Sequence, residues 1–364
     1  MRLSSRIWAR VKGLRNAPPH LPEVRPPQTH VVLLDGTMSS LTPGHETNIG
    51  LTYKMLLGLP DEVNQTLYYE PGIQWRGLLR SPEVIAGIGI NRQIKRAYLF
   101  LARNYHPGDK IVLMGFSRGA YAVRSLAGLI DKMGLLRKAQ ITEETLERVY
   151  HLYRCRPDCP EAKALRNSLC HQHATIAYLG VYDTVRALGM RWPVLWRILP
   201  NAHAFHNDQL GPSTDVARQA LALHENRDAF APVLWDTTHD QAATGCVQQL
   251  WFRGTHGDIG GQIHGREDVR PLANIPLRWI LHEAEACGLT LPEGWRDALP
   301  TDITAPSIGA WRGWGKILWV RHRRKVGRDP SERLHATATV SAANRGLNVP
   351  VLPTPDVAAV SPAE

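Results

Sequence analysis

The segment Lys110-Ile111-Val112-Leu113-Met114-Gly115-Phe116-Ser117-Arg118-Gly119-Ala120 constrains this chain more than any other. The apolar run Ile111 to Met114 predicts a buried strand, and Ala120 to Ile130 carries apolar residues at the three- and four-residue spacing of a helix. Between them stands Gly-x-Ser-x-Gly. A serine flanked in this way at a strand-to-helix junction predicts a nucleophile elbow, where the chain doubles back too sharply to leave room for side chains at Gly115 and Gly119. The five-residue pattern is weak by itself, because glycine and serine are common. The strand and helix around it make Ser117 the candidate nucleophile rather than a serine in an ordinary βα turn.

A chain of 364 residues, 43% hydrophobic and 21% charged, can bury a large core in one α/β domain or in a domain carrying an inserted cap. No stretch has the length of apolar sequence that a spanning helix needs. The first residues carry Arg2, Arg6, Arg10, Lys12 and Arg15 with no continuous apolar core behind them, so a standard cleaved secretory signal is not expected. The expectation is a cytoplasmic protein, or one exported without a cleaved signal, with possible peripheral attachment to a membrane. The five cysteines are scattered, which favours reduced thiols over a disulfide scaffold. Cys155, Cys159, Cys170, His171 and His173 crowd together, but zinc ligands usually come as tighter pairs. Neither a metal nor a cofactor is assigned.

The net charge of +10 is concentrated in the N-terminal arm and between Trp311 and Arg328, where seven Lys and Arg residues interleave with Trp311, Trp314 and Trp319. Tryptophan mixed with cations suits a surface that meets anionic lipid headgroups. It equally suits a solvated basic face whose tryptophans pack inward. No nucleic-acid partner is expected, since no recognised binding module accompanies the charge.

Along the chain, residues 1–28 form a basic arm whose prolines, Pro18-Pro19, Pro22 and Pro26-Pro27, exclude a continuous helix. An α/β domain is expected over 29–300, with a helical cap insertion around 132–172. Then come a Trp-rich basic segment over 301–348, packing on or extending the domain, and a flexible tail over 349–364. Strands are predicted at His30 to Leu34, Gln65 to Tyr69, Thr175 to Tyr182 and Val247 to Phe252, besides the one before Ser117. Helices follow Thr47-Asn48 and run from about Ile85 to Asn104. This alternation predicts an α/β-hydrolase-like fold, a mostly parallel central sheet with helices on both faces.

In such sheets the chemistry gathers past the carboxyl ends of the strands. Ser117, Asp183 and His256 all stand there, in the chain order Ser, acid, His expected of an α/β-hydrolase. Ser117 would attack a carbonyl, His256 would take and return its proton, and Asp183 would orient the imidazole. Among sixteen histidines, His256 is preferred over His203, His206, His224 and His264 because its loop is glycine-rich and follows directly on a strand. Asp258, two residues from His256, remains an alternative acid. An oxyanion hole is expected from the N–H of Arg118 and a second N–H at Gly36 or Thr37, with Asp35 supporting that turn.

Taken together, several ordered motifs carry a family resemblance: Leu34-Asp35-Gly36-Thr37, Thr47-Asn48, Tyr69-Glu70-Pro71-Gly72, Gly115 to Ala120, Gly180 to Val185, His224 to Trp235, and Thr255 to Gly261. Over about residues 30 to 290 the chain resembles the uncharacterised α/β-hydrolase domain family that includes type VI secretion phospholipase effectors. The resemblance implies Ser117 as nucleophile with Asp183 and His256, and hydrolysis of lipid esters by its characterised members. It departs at Met38-Ser39, where members often have Trp-Asn, and at Gln262, where a third glycine is common. The function expected is that of a serine hydrolase acting on carboxylic esters, a phospholipase, lipase or esterase. The alternative is a catalytically silent fold that binds membrane or protein.

Overall fold

A computed structural model describes residues 25–72, 88–185, 209–238, 245–311 and 320–352. From the N-terminal side these build strand β1 (Thr29–Leu34), helix α1 (Asn48–Leu57), β2 (Gln65–Glu70), α2 (Ile88–Asn104), β3 (Lys110–Phe116) and α3 (Arg118–Met133). There follow β4 (Leu135–Leu136), α4 (Glu143–Cys155), α5 (Pro160–Leu169), β5 (Cys170–His171), β6 (Ile176–Tyr182) and β7 (Ala217–Ala222). The described chain then completes β8 (Val247–Phe252), α6 (His256–Gly260), α7 (Arg270–Ala286) and β9 (Glu332–Leu334).

Seven strands form one parallel sheet in the order β2-β1-β3-β6-β7-β8-β9, the α/β-hydrolase-like architecture expected from the alternation of elements. The central strands β3 and β6 are apolar runs buried on both faces, as parallel strands covered by helices must be. Their side chains alternate between two cores. Val32, Leu34, Ile111 and Leu113 face α2 and α3 through Ile94, Tyr98, Leu101, Leu126 and Leu129. Val31, Leu33, Val112 and Met114 face α1 and α7 through Ile49, Leu56, Ile280 and Leu281. From β1 the chain crosses to β2 on one side and returns to β3 on the other, so β1 and β3 flank the point where strand order reverses.

Between 132 and 172 the helices α4 and α5 pack against α3, with Leu146, Val149, Leu152, Tyr153 and Leu165 in the same buried cluster as Ile111 and Leu113. They continue the helical layer on that face of the sheet. Two strands escape the periodicity argument. Ala217-Arg218-Gln219-Ala220-Leu221-Ala222 is alanine-rich and lacks β-branched residues, and it is not among the strands predicted from sequence, yet it is β7. Its polar residues are used across the sheet: Gln219 Nε2 donates to Gln249 Oε1 at 3.0 Å, and Arg218 pairs with Glu283 of α7 at 2.6 Å. The other is β9, only three residues long. Where a loose tail is expected from 349, Val349 to Leu352 instead run beside β9, the Leu334 N–H donating to the Pro350 carbonyl and the Leu352 N–H to that of Leu334. Residues 353–364 lie outside the described residues, as do residues 1–24 of the basic arm.

Candidate functional site

The elbow is built as the glycines require. Ser117 joins β3 to α3 with φ 58° and ψ −118°, a left-handed conformation rare for a residue with a side chain. A Cβ on Gly115 would stand 2.6 Å from the Gly119 carbonyl, and one on Gly119 would stand 2.1 Å from that of Leu34. The Ser117 N–H donates to the carbonyl of Tyr182 at 2.9 Å, which ties the elbow to the end of β6.

Asp183 follows β6 directly and also has positive φ, 43°. Its N–H donates to Ala220 at 2.8 Å, and its Oδ1 accepts the N–H of Ala222 at 3.0 Å. His256 opens α6, four residues after the end of β8. Its Nδ1 lies 2.6 Å from Asp183 Oδ2 and its Nε2 lies 2.9 Å from Ser117 Oγ. With Asp183 ionised, Nδ1 carries the proton and donates to the carboxylate, so Nε2 accepts from the serine hydroxyl. All three side chains are buried.

The imidazole sits between two aromatic rings, Phe116 at 4.8 Å and Phe230 at 4.6 Å between centroids. Phe116 fits only because Gly36 and Gly260 lack side chains: a Cβ on either would stand 2.5 or 2.0 Å from its ring. The Arg227 guanidinium covers Phe230 at 4.2 Å and pairs with the buried Glu225. Glu225 also accepts the N–H of His256 at 3.1 Å, so the segment from His224 to Phe230 holds the histidine from outside.

Residues 28–283 match the model of the family described as T6SS, phospholipase effector Tle1-like, catalytic domain. The chain belongs to this family. It is similar to the uncharacterized protein YEL023C of Saccharomyces cerevisiae, with 33% identity over 138 residues covering 34% of this chain and 20% of the yeast protein. Among solved structures it is similar to a Tle1 effector bound to the VgrG spike of the type 6 secretion system, at 18% identity and a TM-score of 0.37 over 65% of this chain and 52% of that one. It is also similar to an uncharacterized protein from Pseudomonas aeruginosa, at 15% identity and a TM-score of 0.42 over 82% and 50% of the two chains. The chain therefore spans a fifth of the yeast relative and about half of each matched structure.

Several residues near His256 and the elbow hold the loops of the site in place. Asp258 makes a capping box with Thr255, whose N–H and hydroxyl donate to its Oδ2, while Ser307 Oγ and the Ile308 N–H donate from across the loop. Its oxygens are thereby occupied, and Asp183 is the acid that meets the imidazole. Gly36 is a second correction. Its N–H donates to Asp35 Oδ1 at 2.7 Å, so this donor is engaged within the turn rather than free for an oxyanion. Asp35 also accepts from Thr47 Oγ1 at 2.8 Å and Tyr69 OH at 3.0 Å, and burial pushes its carboxyl up to about 6 against these hydrogen bonds. These bonds tie Asp35 to its own turn and to the start of α1.

The next residue, Thr37, has a buried hydroxyl with no hydrogen-bond partner among the described residues. Its carbonyl accepts from Gln262 Nε2 at 3.0 Å, so the residue that departs from the family's glycine supports this loop. Asn48 and Gly261 are structural: Asn48 Nδ2 donates to the carbonyls of Ile259 and Ala273, and a Cβ on Gly261 would stand 2.2 Å from Asn48 Oδ1.

The residue that sequence reasoning missed is Arg324. It lies in the basic stretch read as a surface, yet it is buried against Asp183. No local signal separates it from Arg323 or Lys325. Trp311 is 63% exposed, with the Arg321 guanidinium 3.5 Å over its ring; Trp314 and Trp319 lie outside the described residues, as do His203 and His206. The candidate metal cluster is dispersed in local roles, with Cys159 Sγ capping α5 by accepting the Ala162 N–H and Cys170 buried in the core. All five thiols are free. Among the described residues no helix is long and apolar enough to cross a membrane.

Proposed function

We propose that this Tle1-like protein hydrolyses carboxylic esters of phospholipids by a serine acyl-enzyme mechanism. The observation that carries the reading is the continuous hydrogen-bonded chain Ser117, His256, Asp183, assembled from three strand ends of a phospholipase-effector family domain.

In this mechanism Ser117 Oγ attacks the acyl carbonyl while its proton passes to His256 Nε2. The Asp183 carboxylate keeps Nδ1 protonated and stabilises the imidazolium that forms. The tetrahedral oxyanion is held by the N–H of Arg118, which opens α3 where the helix dipole also favours negative charge, and by the N–H of Thr37. Collapse expels the alkoxide of the lysolipid, which takes the proton back from Nε2. Water then attacks the acyl-Ser117 by the same route, releasing fatty acid and restoring the serine. The exposed Trp311 and the basic residues around it would meet anionic headgroups during this cycle. Family membership supports export as an effector.

The test is a panel of phospholipids and short-chain esters run on the wild type beside Ser117→Ala, with products read by mass spectrometry and Ser117 labelled by a fluorophosphonate probe. Labelling and turnover are expected in the wild type and neither in the variant. Equal labelling of both proteins would show that the nucleophile lies elsewhere. Salt-sensitive binding to anionic vesicles without any turnover would favour a silent membrane-binding module.

A further inference from the structure

Asp183 has a second partner. Arg324 Nη1 donates to Asp183 Oδ1 at 2.5 Å and Arg324 Nη2 to Asp183 Oδ2 at 2.8 Å, a two-pronged clamp on a carboxylate with no exposure to solvent. The same nitrogens donate to the carbonyls of Ala222 at 2.9 Å and Phe230 at 2.6 Å. The guanidinium is thus lodged between the end of β7 and the segment whose ring covers His256. Arg345 Nη2 donates to the Arg324 carbonyl at 2.9 Å and fixes the backbone that carries the clamp. Arg324 falls beyond residue 283, where the family match ends.

We infer that Arg324 is a positioning residue of the hydrolytic site, holding the Asp183 carboxylate charged and aimed at His256 Nδ1, so that the C-terminal segment completes a site whose other members lie within the family domain. The inference rests on the serine-hydrolase reading above. A carboxylate buried this deeply loses its hydration, which alone raises its affinity for a proton. Burial is the largest single influence, yet the Arg324 charge and hydrogen bonds, together with the hydrogen bond to His256, outweigh it and keep the Asp183 carboxyl well below the usual range.

The fork geometry matters as much as the charge, because two parallel N–H bonds fix the direction of the carboxylate. The other charged or titratable groups around His256 are already engaged: Glu225 with Arg227, Asp258 with its loop, and His224, whose Nδ1 accepts the Gly254 N–H. Arg118 stands next to the nucleophile. Removing Arg324 therefore makes the Asp183 carboxyl easier to protonate and moves the acid limb of the activity profile to higher pH.

The test uses the full chain with p-nitrophenyl butyrate as probe, measuring kcat, KM and the pH profile of kcat/KM, with thermal melts to establish folding. Arg324→Gln is expected to lower kcat about 10- to 100-fold at little change in KM, the usual cost of losing an outer partner that orients a functional group, and to shift the acid limb upward. Arg324→Lys keeps the charge without the fork, so it should hold the acid limb in place while recovering only part of kcat. A folded Arg324→Gln protein with wild-type kcat, or with an unmoved acid limb, overturns the inference. If Arg324→Gln does not fold, Arg324→Lys decides: lower kcat at constant KM supports the role, and wild-type kcat overturns it. Turnover surviving in Ser117→Ala would sink the serine-hydrolase reading itself. Turnover lost there but normal in Arg324→Gln would sink only the role of Arg324.

Discussion

The carbonyl oxygen of Leu34 lies against Gly119 so closely that a Cβ on that glycine would stand 2.1 Å away. The loop after β1 and the first turn of α3 are pressed together here, with Thr37 on one and Arg118 on the other. A methyl group at Gly119 must push them apart, and displacing backbone is harder than displacing the end of a flexible side chain. Gly119→Ala should therefore cost at least the ~1–3 kcal/mol typical of overpacking and abolish ester turnover. Thermal melting and the rate of fluorophosphonate labelling at Ser117 measure the two effects separately.

The two aspartates near His256 should respond differently. In Asp183→Asn the amide cannot serve as the charged acceptor at Nδ1, and kcat should fall by about four orders of magnitude, as when the acid of a serine triad is neutralised. Asp258→Asn leaves that contact intact but puts an amide among the donors from Thr255, Ser307 and Ile308, so it should lose about 1–3 kcal/mol of stability and most of its turnover should persist. Denaturant midpoints and steady-state kinetics on both variants separate the roles, and the reverse pattern would reassign the acid.

Phe230 holds one face of the imidazole and is itself covered by Arg227. Truncating it to alanine removes ring contacts worth about 0.5–1.5 kcal/mol and leaves the imidazole freer to tilt. The expected result is a drop of about tenfold in kcat/KM, expressed mainly in kcat, by the conversion of 1.4 kcal/mol per factor of ten. Phe230→Leu should recover part of it, and stopped assays over a substrate series give the split.

Gln262 braces the Thr37 carbonyl. Losing a hydrogen bond of about 1 kcal/mol in Gln262→Ala should loosen the loop that carries the proposed second oxyanion donor and slow turnover about fivefold. Binding of a non-hydrolysable lipid analogue is expected to be unchanged, and a weakened analogue with normal kcat would count against this role.

Asp35 makes stability depend on pH. Its folded carboxyl is raised to about 6 from 3.8, so the native state holds the proton more tightly than the unfolded chain does. The sign follows: this contribution is fully present below about pH 3.8 and is lost as pH rises through about 6, to an extent of at most ~3 kcal/mol for a shift of roughly two units. Against an Asp35→Asn reference, the wild type should lose relative stability between mildly acidic and neutral pH, as read from urea midpoints at the two conditions.

Much of this was legible in the sequence where the physics is local. The β3–α3 junction is encoded by an apolar run, two glycines that permit backbone contact, and a helix periodicity, all within one stretch of chain. Thr47 as the cap of α1 and Asp35 as a brace of its turn are also short-range chemistry. Strand β7 was not legible, because its alanines and polar residues match no period; its place is set by Gln219 and Gln249 bonding across adjacent strands. The peptide orientation that turns the Gly36 N–H onto Asp35 was equally hidden, since the same residues could present that N–H outward.

What the sequence by itself determined was the class of fold, the elbow, and the order of serine, acid and histidine at strand ends. Only the tertiary structure decided which aspartate reaches the imidazole and which of many arginines stands behind it. His256 meets residues 73 and 139 positions away, and Arg324 meets Asp183 from 141 positions away. Over such separations residue spacing carries no distance information. The pairing is set by the parallel sheet, whose strand ends bring those side chains together, and by burial, which tolerates the Asp183 charge only where Arg324 and His256 meet it.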